Sequence, residues 1–269
     1  IDAVACNFLW YPLFIEAAAN KHSVSTMLQQ CCTLDGYNGA GFISSLTDQI
    51  NCLENYLRAA RDTSVGVVVS YPSILSTILK ATGIKQPEEW KAYHQDQLHQ
   101  LIFTAVEAQE QMLRAICDRF SRELLFILLR DEELVRFSEV IDLNAYAEWL
   151  FRLTTPAKEH GKPVGLYTIG DQDEILPWLV KGGIELIMPI WGNSKKIRQL
   201  MSKWKGKLTL IGGINPEMLS NNSENLQEEI KSLQKLSKEG GGFIVNIGLG
   251  DKSIGPPQHV IKVLQTMHY

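Results

Sequence analysis

The sequence lacks the features that would assign it to a membrane or to nucleic acid. No apolar run approaches the roughly 20 residues that a membrane-spanning helix needs, and the formal net charge is −4 rather than strongly positive. Cysteine is scarce: there are five, an odd number, and none stands in a Cys-x-x-Cys pair. We therefore expect reduced thiols in a cytoplasmic protein, with no membrane or nucleic-acid partner.

Seven short apolar segments alternate with longer helical stretches. They are residues 2–6, 65–69, 124–129, 164–167, 186–190, 208–211 and 243–247. Near-continuous apolar segments of this kind are typical of parallel strands covered on both faces. The chain starts at the edge of the first segment, without an initiator methionine or a signal-peptide pattern. We therefore expect a single α/β domain over residues 1–269. It would be a TIM-type (β/α)8 barrel whose first strand lies upstream of this chain, or an incomplete barrel.

Capping residues mark several predicted helices. Asp142 precedes a stretch that ends at His160-Gly161, residues 171–174 have the form of a capped acidic first turn, and Asn215 precedes a proline. The other predicted helices are residues 90–117, 194–205 and 224–239. The helix at 194–205 is basic, which is typical of a solvated outer helix and would also suit an acidic partner protein.

Polar residues follow the predicted strands, at the ends that gather around the ligand in a barrel. Three are candidates for catalysis. Arg130 has the planar fork that binds an anion, Tyr167 offers a phenol, and Asp171 offers a general acid, a base or a cation partner. Two of the catalytic candidates also have a structural alternative, because Arg130 can pair with the adjacent acids and Asp171 can cap a helix. The candidates for substrate binding are Asn7, Tyr71, Trp191, Asn215, Asn246 and Asp251.

Five segments, in this order and spacing, resemble the uroporphyrinogen decarboxylase superfamily. They are residues 1–4, 65–72 (VGVVVSYP), 158–167 (KEHGKPVGLY), 210–216 (LIGGINP) and 241–250 (GGFIVNIGLG) with the proline pair at 256–257. The likeness is nearer to the methylcobalamin:coenzyme M methyltransferase branch than to the decarboxylase itself. It implies a barrel of the TIM type and one-carbon metabolism with a corrinoid.

This sequence departs from the metal site that the resemblance implies. The methyltransferases bind zinc through a His-x-Cys pair after the fifth strand and a cysteine in the last glycine turn, and the matching residues here are Tyr167, Ile169 and Leu249. A phenol and two aliphatic side chains cannot replace an imidazole and two thiolates as zinc ligands. We therefore predict no metal ligands. The decarboxylase aspartate falls near Leu9 and its histidine on Leu249, and the sequence shows no set of cations for a polyanionic porphyrinogen.

Three functions remain open from the sequence. The first is a corrinoid-linked methyltransferase without the family zinc site, with methylcobalamin or a corrinoid protein as co-substrate. The second is a cofactor-free decarboxylase of a small or tetrapyrrole-like carboxylic acid. The third is a non-catalytic barrel that acts as a binding subunit. We expect a small-molecule substrate, no cofactor bound by the chain itself, and a corrinoid carrier protein or a second copy of the chain as partner.

Overall fold

The computed structural model describes residues 3–7, 50–51, 53–54, 57–58, 66–214, 226–239 and 241–247. The chain divides into two compact units, residues 1–184 and residues 185–269. Each unit alternates parallel strands with helices, as the sequence predicts for an α/β protein.

The first unit contains four parallel strands that pair in sequence order. These are β1 (Ala3–Asn7), β2 (Gly66–Pro72), β3 (Leu124–Arg130) and β4 (Val164–Tyr167). The register places Pro72, Arg130 and Tyr167 side by side in one row. Three strands therefore end at the same edge, and their last side chains become neighbours.

The described residues at 50–51, 53–54 and 57–58 are helical, and six further helices with described bounds accompany the strands of the first unit. They are α1 (Ile74–Thr82), α2 (Pro87–Ala92), α3 (Gln95–Phe120), α4 (Leu134–Phe137), α5 (Leu143–Glu159) and α6 (Leu176–Lys181). The predicted cap at Asp142 is confirmed, because its carboxylate accepts the backbone N–H groups of Asn144 at 2.9 Å and Ala145 at 3.2 Å. Within the described ranges, no helix is both long and apolar enough to cross a membrane.

The second unit contains three parallel strands and two described helices. The strands are β5 (Leu186–Ile190), β6 (Thr209–Ile214) and β7 (Phe243–Ile247), and the helices are α7 (Ser194–Lys203) and α8 (Leu226–Lys238). Asn193 caps the N-terminus of helix α7, and its side chain accepts the Lys196 N–H at 2.9 Å. Ile197 and Leu200 of α7 are buried, whereas most of its basic residues are exposed.

All seven predicted strands are confirmed, while two helix predictions are wrong in part. The predicted helix at 90–117 is divided into α2 and α3, because the Gln95 side-chain amide donates to the Trp90 and Tyr93 carbonyls where α2 ends. Asp171 does not cap α6 directly. It lies in a turn five residues before Leu176 and accepts the Asp173 N–H at 3.3 Å. Asn215, predicted to precede a helix, lies outside the described residues.

Candidate functional site

A cavity of about 760 Å³ opens at the carboxyl ends of β2 and β3. Strand β2 ends at Pro72, which has no N–H to give to the ladder, and the Ser73 N–H donates to the carbonyl of Arg130, the last residue of β3, at 2.9 Å. The walls come from β2, α1, the loop at 83–86, the end of β3 and the segment that leads into α4. The lining residues are Ser70, Pro72, Ser76, Leu79, Lys80, Gly83, Ile84, Lys85, Gln86, Arg130, Glu132, Glu133 and Arg136.

The lining carries more positive than negative charge. Four of its side chains are cationic and two are carboxylates. Arg130 pairs with Glu132, and its Cζ atom lies 5.6 Å from the centroid of the Tyr167 ring, within the range of a cation–π contact. Arg136 pairs with Glu133 at 2.6 Å. Cations outnumber carboxylates among the lining residues, which favours an anionic ligand.

Lys80 lies within the electrostatic reach of Arg130 and Glu132. Burial lowers the pKa of its ammonium group below the ordinary value, Glu132 opposes this by raising the pKa, and Arg130 adds to the lowering. Lys80 stands in the last turn of α1 and Arg130 at the last residue of β3. The end of a strand and the end of a helix therefore bring two cations to one wall.

A buried carboxylate supports this wall from behind. Asp131 is fully buried, and it accepts the Ser76 N–H at 2.6 Å, the Leu75 N–H at 3.4 Å and the hydroxyl of Tyr146. Its own N–H donates to the Tyr167 carbonyl at 2.9 Å. Asp131 lies between Arg130 and Glu132 in sequence. It thus connects the end of β3 to the first turn of α1 and to the end of β4.

The surroundings of Asp131 shift two pKa values upward. Burial raises the pKa of Asp131, although the hydrogen bonds from Tyr146 and Ser76 act in the opposite direction. Burial and the neighbouring carboxylate raise the pKa of Tyr146 well above its ordinary value. Tyr146 therefore remains a hydrogen-bond donor at neutral pH.

The structure brings together two of the three catalytic candidates. Arg130 and Tyr167 are in contact, and Arg130 makes the predicted ion pair with an adjacent acid while also lining the cavity. Asp171 is exposed and lies outside the lining. Tyr71, a candidate for substrate binding, is fully buried in the core and is not part of the lining either.

The other candidates for substrate binding are not among the lining residues. Asn7 lies beside Ser70 in the register, so its backbone is next to the cavity wall. Trp191 and Asn246 belong to the second unit, where both are half-buried and Asn246 lies beside Gly213 in the register. Asn215 and Asp251 lie outside the described residues.

Sequence reasoning missed three of the four cations in the lining. Lys80, Lys85 and Arg136 stand at the end of α1, in the loop at 83–86 and in the short helix α4. In the sequence they look like ordinary solvated residues. Nothing in their spacing shows that the end of α1 and the loop at 83–86 lie close to α4. The one available signal was the run at 130–136, in which two arginines flank three acids.

Comparison with known proteins identifies the family. The uroporphyrinogen decarboxylase (URO-D) family model matches residues 44–269. The chain belongs to this family. None of the curated proteins matches the sequence significantly.

A solved methyltransferase from Methanosarcina mazei has a similar fold. The two chains are 16% identical with a TM-score of 0.59, and the match covers 88% of this chain and 66% of the methyltransferase, so this chain spans just under two thirds of that protein's length. A pneumococcal exo-β-D-N-acetylglucosaminidase matches with 13% identity and a TM-score of 0.40, over 91% of this chain and 68% of that one. A 2,3-dimethylmalate lyase matches with 12% identity and a TM-score of 0.35, over 98% of this chain and 88% of that one.

These comparisons confirm the predicted superfamily and the predicted fold class, since the URO-D family has the TIM-type barrel fold. Of the three positions that the predicted absence of the methyltransferase zinc site concerns, Tyr167 and Ile169 lie within the described residues and Leu249 lies outside them. The described part of the chain also contains no group of three or more His, Cys, Asp and Glu side chains placed to hold a metal ion.

Proposed function

We propose that this member of the URO-D family is an enzyme that binds an anionic small molecule in the strand-end cavity. We further propose that its reaction is a corrinoid-linked methyl transfer that does not use the family zinc site. The observation that carries the proposal is the excess of positive charge at the carboxyl ends of β2 and β3, the end of the strands at which TIM-type barrels bind their substrates. The reaction class is supported by the resemblance of residues 158–167 and 210–216 to the methyltransferase branch.

Arg130 is the residue that would hold the anionic group. Its side chain is 39% exposed, and Glu132 and the Tyr167 ring hold the guanidinium at the cavity wall. A carboxylate or sulfonate that replaces Glu132 as the partner would gain a bidentate contact in the same orientation. Lys80 offers a second cation on the same wall. Methylcobalamin, free or on a carrier protein, would supply the methyl group as a co-substrate.

A second candidate function is decarboxylation without a cofactor. The four cations in the lining of the cavity favour it, because they could bind the carboxylate of the substrate. When the bond to the departing carboxylate breaks, its electron pair stays on the substrate carbon and must be protonated. The ammonium group of Lys80, whose pKa burial lowers, is the proton donor that the cavity offers.

The two functions are distinguished by turnover assays on the purified chain. For methyl transfer, demethylation of methylcobalamin is followed with 2-mercaptoethanesulfonate or 3-mercaptopropionate as acceptor, and with uncharged 2-mercaptoethanol as the matched control. We expect turnover with the anionic thiols and little with the neutral one. For decarboxylation, carbon dioxide release from small carboxylic acids is measured without methylcobalamin. Absence of turnover in both assays would contradict an enzymatic role.

The role of Arg130 is tested with a matched control arginine. We expect Arg130→Gln to lower kcat/KM by roughly 10- to 100-fold, because a charge-assisted hydrogen bond contributes about 1.5–3 kcal/mol. Arg152 has the same surroundings outside the cavity. Its side chain is 40% exposed, it pairs with Glu110 at 2.7 Å, and its Cζ lies 5.9 Å from the Phe103 ring centroid. We expect Arg152→Gln to leave kcat/KM unchanged. Equal losses in the two variants would show that Arg130 has no special role.

A further inference from the structure

The charged residues of the cavity form two clusters on different elements. The inner cluster consists of Arg130, Lys80 and Glu132, at the ends of β3 and α1. The outer cluster consists of Lys85, Arg136 and Glu133, in the loop at 83–86 and around α4. Each cluster places two cations and one carboxylate in the lining, and the Glu89 carboxylate lies outside the lining within electrostatic reach of Lys85.

The outer cluster is fixed in place by contacts that do not use the Lys85 ammonium group. Arg136 donates to the Lys85 carbonyl at 2.5 Å and pairs with Glu133 at 2.6 Å. The Lys85 N–H donates to the Glu89 carboxylate at 2.7 Å. The backbone of Lys85 is thus held from both sides, while its side chain lines the cavity. This arrangement fixes the backbone of Lys85 at the wall, and its exposed side chain places a second cation there.

The remaining lining suits an uncharged middle section of a ligand. Leu79 and Ile84 are buried residues of the same wall, and Pro72 and Gly83 add to its apolar surface. The volume of about 760 Å³ is within the roughly 300–1,000 Å³ of small-molecule sites, and it exceeds what a single carboxylate fills. A ligand with one charged end would contact only one of the two clusters.

We propose that the cavity binds a small molecule with two anionic groups, of the dicarboxylic acid class, with one group held by the inner cluster and the other by the outer cluster. This deepens the proposed function by naming the substrate class, and it rests on that function for the role of Arg130. The outer cluster then determines specificity: it selects substrates by the presence and the distance of the second anionic group.

The test is isothermal titration of the full chain with glutarate, adipate and pimelate. Each diacid is compared with its monomethyl ester, which has nearly the same shape and one charge fewer. We expect the diacid of the best length to bind at least ~10-fold more tightly than its ester, since a second charge-assisted contact is worth about 1.5–3 kcal/mol. Equal affinities of diacid and ester, or no binding of any diacid at millimolar concentration, would overturn the proposal.

Variants then separate the two clusters. We expect Arg136→Gln to reduce the affinity for the diacid to that for the ester, and to leave the affinity for the ester unchanged. Lys85→Gln is the second variant, and it should fold normally because the hydrogen bonds of Lys85 are made by its backbone. We expect it also to reduce the difference in affinity between the diacid and the ester. Arg130→Gln should weaken both ligands, and Arg152→Gln neither. Loss of diacid and ester binding alike in Lys85→Gln and Arg136→Gln would contradict a separate second subsite.

The outcome also distinguishes this inference from the proposed function. If Arg130→Gln weakens binding while Lys85→Gln and Arg136→Gln do not, the anion site of the proposed function stands and the two-anion ligand is wrong. If Arg130→Gln has no effect on either ligand, the anion site itself is wrong. Because the titration requires no turnover, neither result depends on the reaction class.

Discussion

Asp131 illustrates how a single buried residue supports the cavity without lining it. Its neighbours in sequence, Arg130 and Glu132, both face the cavity, while Asp131 points into the core and binds the first turn of α1. The helix dipole stabilises a carboxylate at a helix N-terminus. Removing the charged carboxylate from water costs free energy. Burial is the larger of the opposing effects on the carboxyl group, so the pKa of Asp131 is raised.

This shift predicts how the protein's stability depends on pH. In the unfolded chain Asp131 titrates near its ordinary value of 3.8, and in the folded chain it titrates higher. The folded state therefore binds the proton more tightly. The stability that Asp131 contributes is fully present below pH 3.8 and is lost as the pH rises through the folded pKa.

The measurement is urea unfolding of the wild type and of Asp131→Asn across a pH series. Asparagine keeps an acceptor for the Ser76 N–H, and the Tyr146 hydroxyl can accept from its amide. We expect the unfolding free energy of the wild type, relative to the variant, to fall as the pH rises from 4 toward the folded pKa. A difference that is constant or that rises with pH would contradict the buried, raised pKa.

At the scale of elements, one close approach fixes the loop after β4 against helix α4. Gly170 has a φ of +120°, and a Cβ atom there would lie 2.8 Å from Cγ1 and 2.9 Å from Cβ of Val135. The Ile169 N–H also donates to the Glu132 carbonyl at 3.1 Å. The loop that follows Tyr167 is thus held against the segment that carries Glu132, Glu133 and Arg136.

We expect Gly170→Ala to lower the unfolding free energy by about 2–6 kcal/mol, because backbone strain and overpacking each contribute about 1–3 kcal/mol. The matched control is Gly83→Ala, since Gly83 has a φ of +73° but nothing within 4 Å of the added Cβ. It should lose only about 1–2 kcal/mol, from the left-handed backbone. Adding Val135→Ala to Gly170→Ala should recover part of the loss. The measurement is urea unfolding. Equal losses of unfolding free energy in Gly170→Ala and Gly83→Ala would show that the close contact with Val135 is unimportant.

The strands could be predicted from the sequence because their apolar runs are nearly continuous, and the contact of Arg130 with Tyr167 follows from strand ends that share an edge. The break between α2 and α3 could not be predicted. Tyr93 and His94 interrupt no hydrophobic pattern, and the Gln95 side chain that caps α2 is an ordinary helix residue. An acidic turn such as 171–174 looks the same whether a helix starts there or later.

The missing part of the candidate site has a different cause. Lys80 and Arg136 are 56 residues apart in the numbering, and only the tertiary packing of α1 and α4 against the same strand ends brings them to one cavity. Lysine and arginine residues at the surface show no periodic spacing in the sequence that would indicate where they meet. The sequence therefore revealed the Arg130 end of the site but not the second cluster.

At the scale of the whole molecule, the local charge of the cavity opposes the net charge of the chain. The protein carries a formal charge of −4, yet cations outnumber carboxylates in the lining two to one. A cationic cavity in a chain of negative net charge concentrates the attraction for small anions at one place. The URO-D family match over residues 44–269 includes every residue of this lining, so the cavity lies within the part of the chain that the family shares.

The most direct test of an anion site at the strand ends is a crystal structure of the chain with bound 3-bromopropionate. Anomalous scattering from bromine locates the ligand independently of the protein model, and the carboxylate marks the anion-binding residue. We expect a bromine peak inside the cavity, with the carboxylate on the Arg130 guanidinium in place of Glu132. Ligand bound elsewhere, with Arg130 still paired to Glu132 and no density in the cavity, would contradict the anion site.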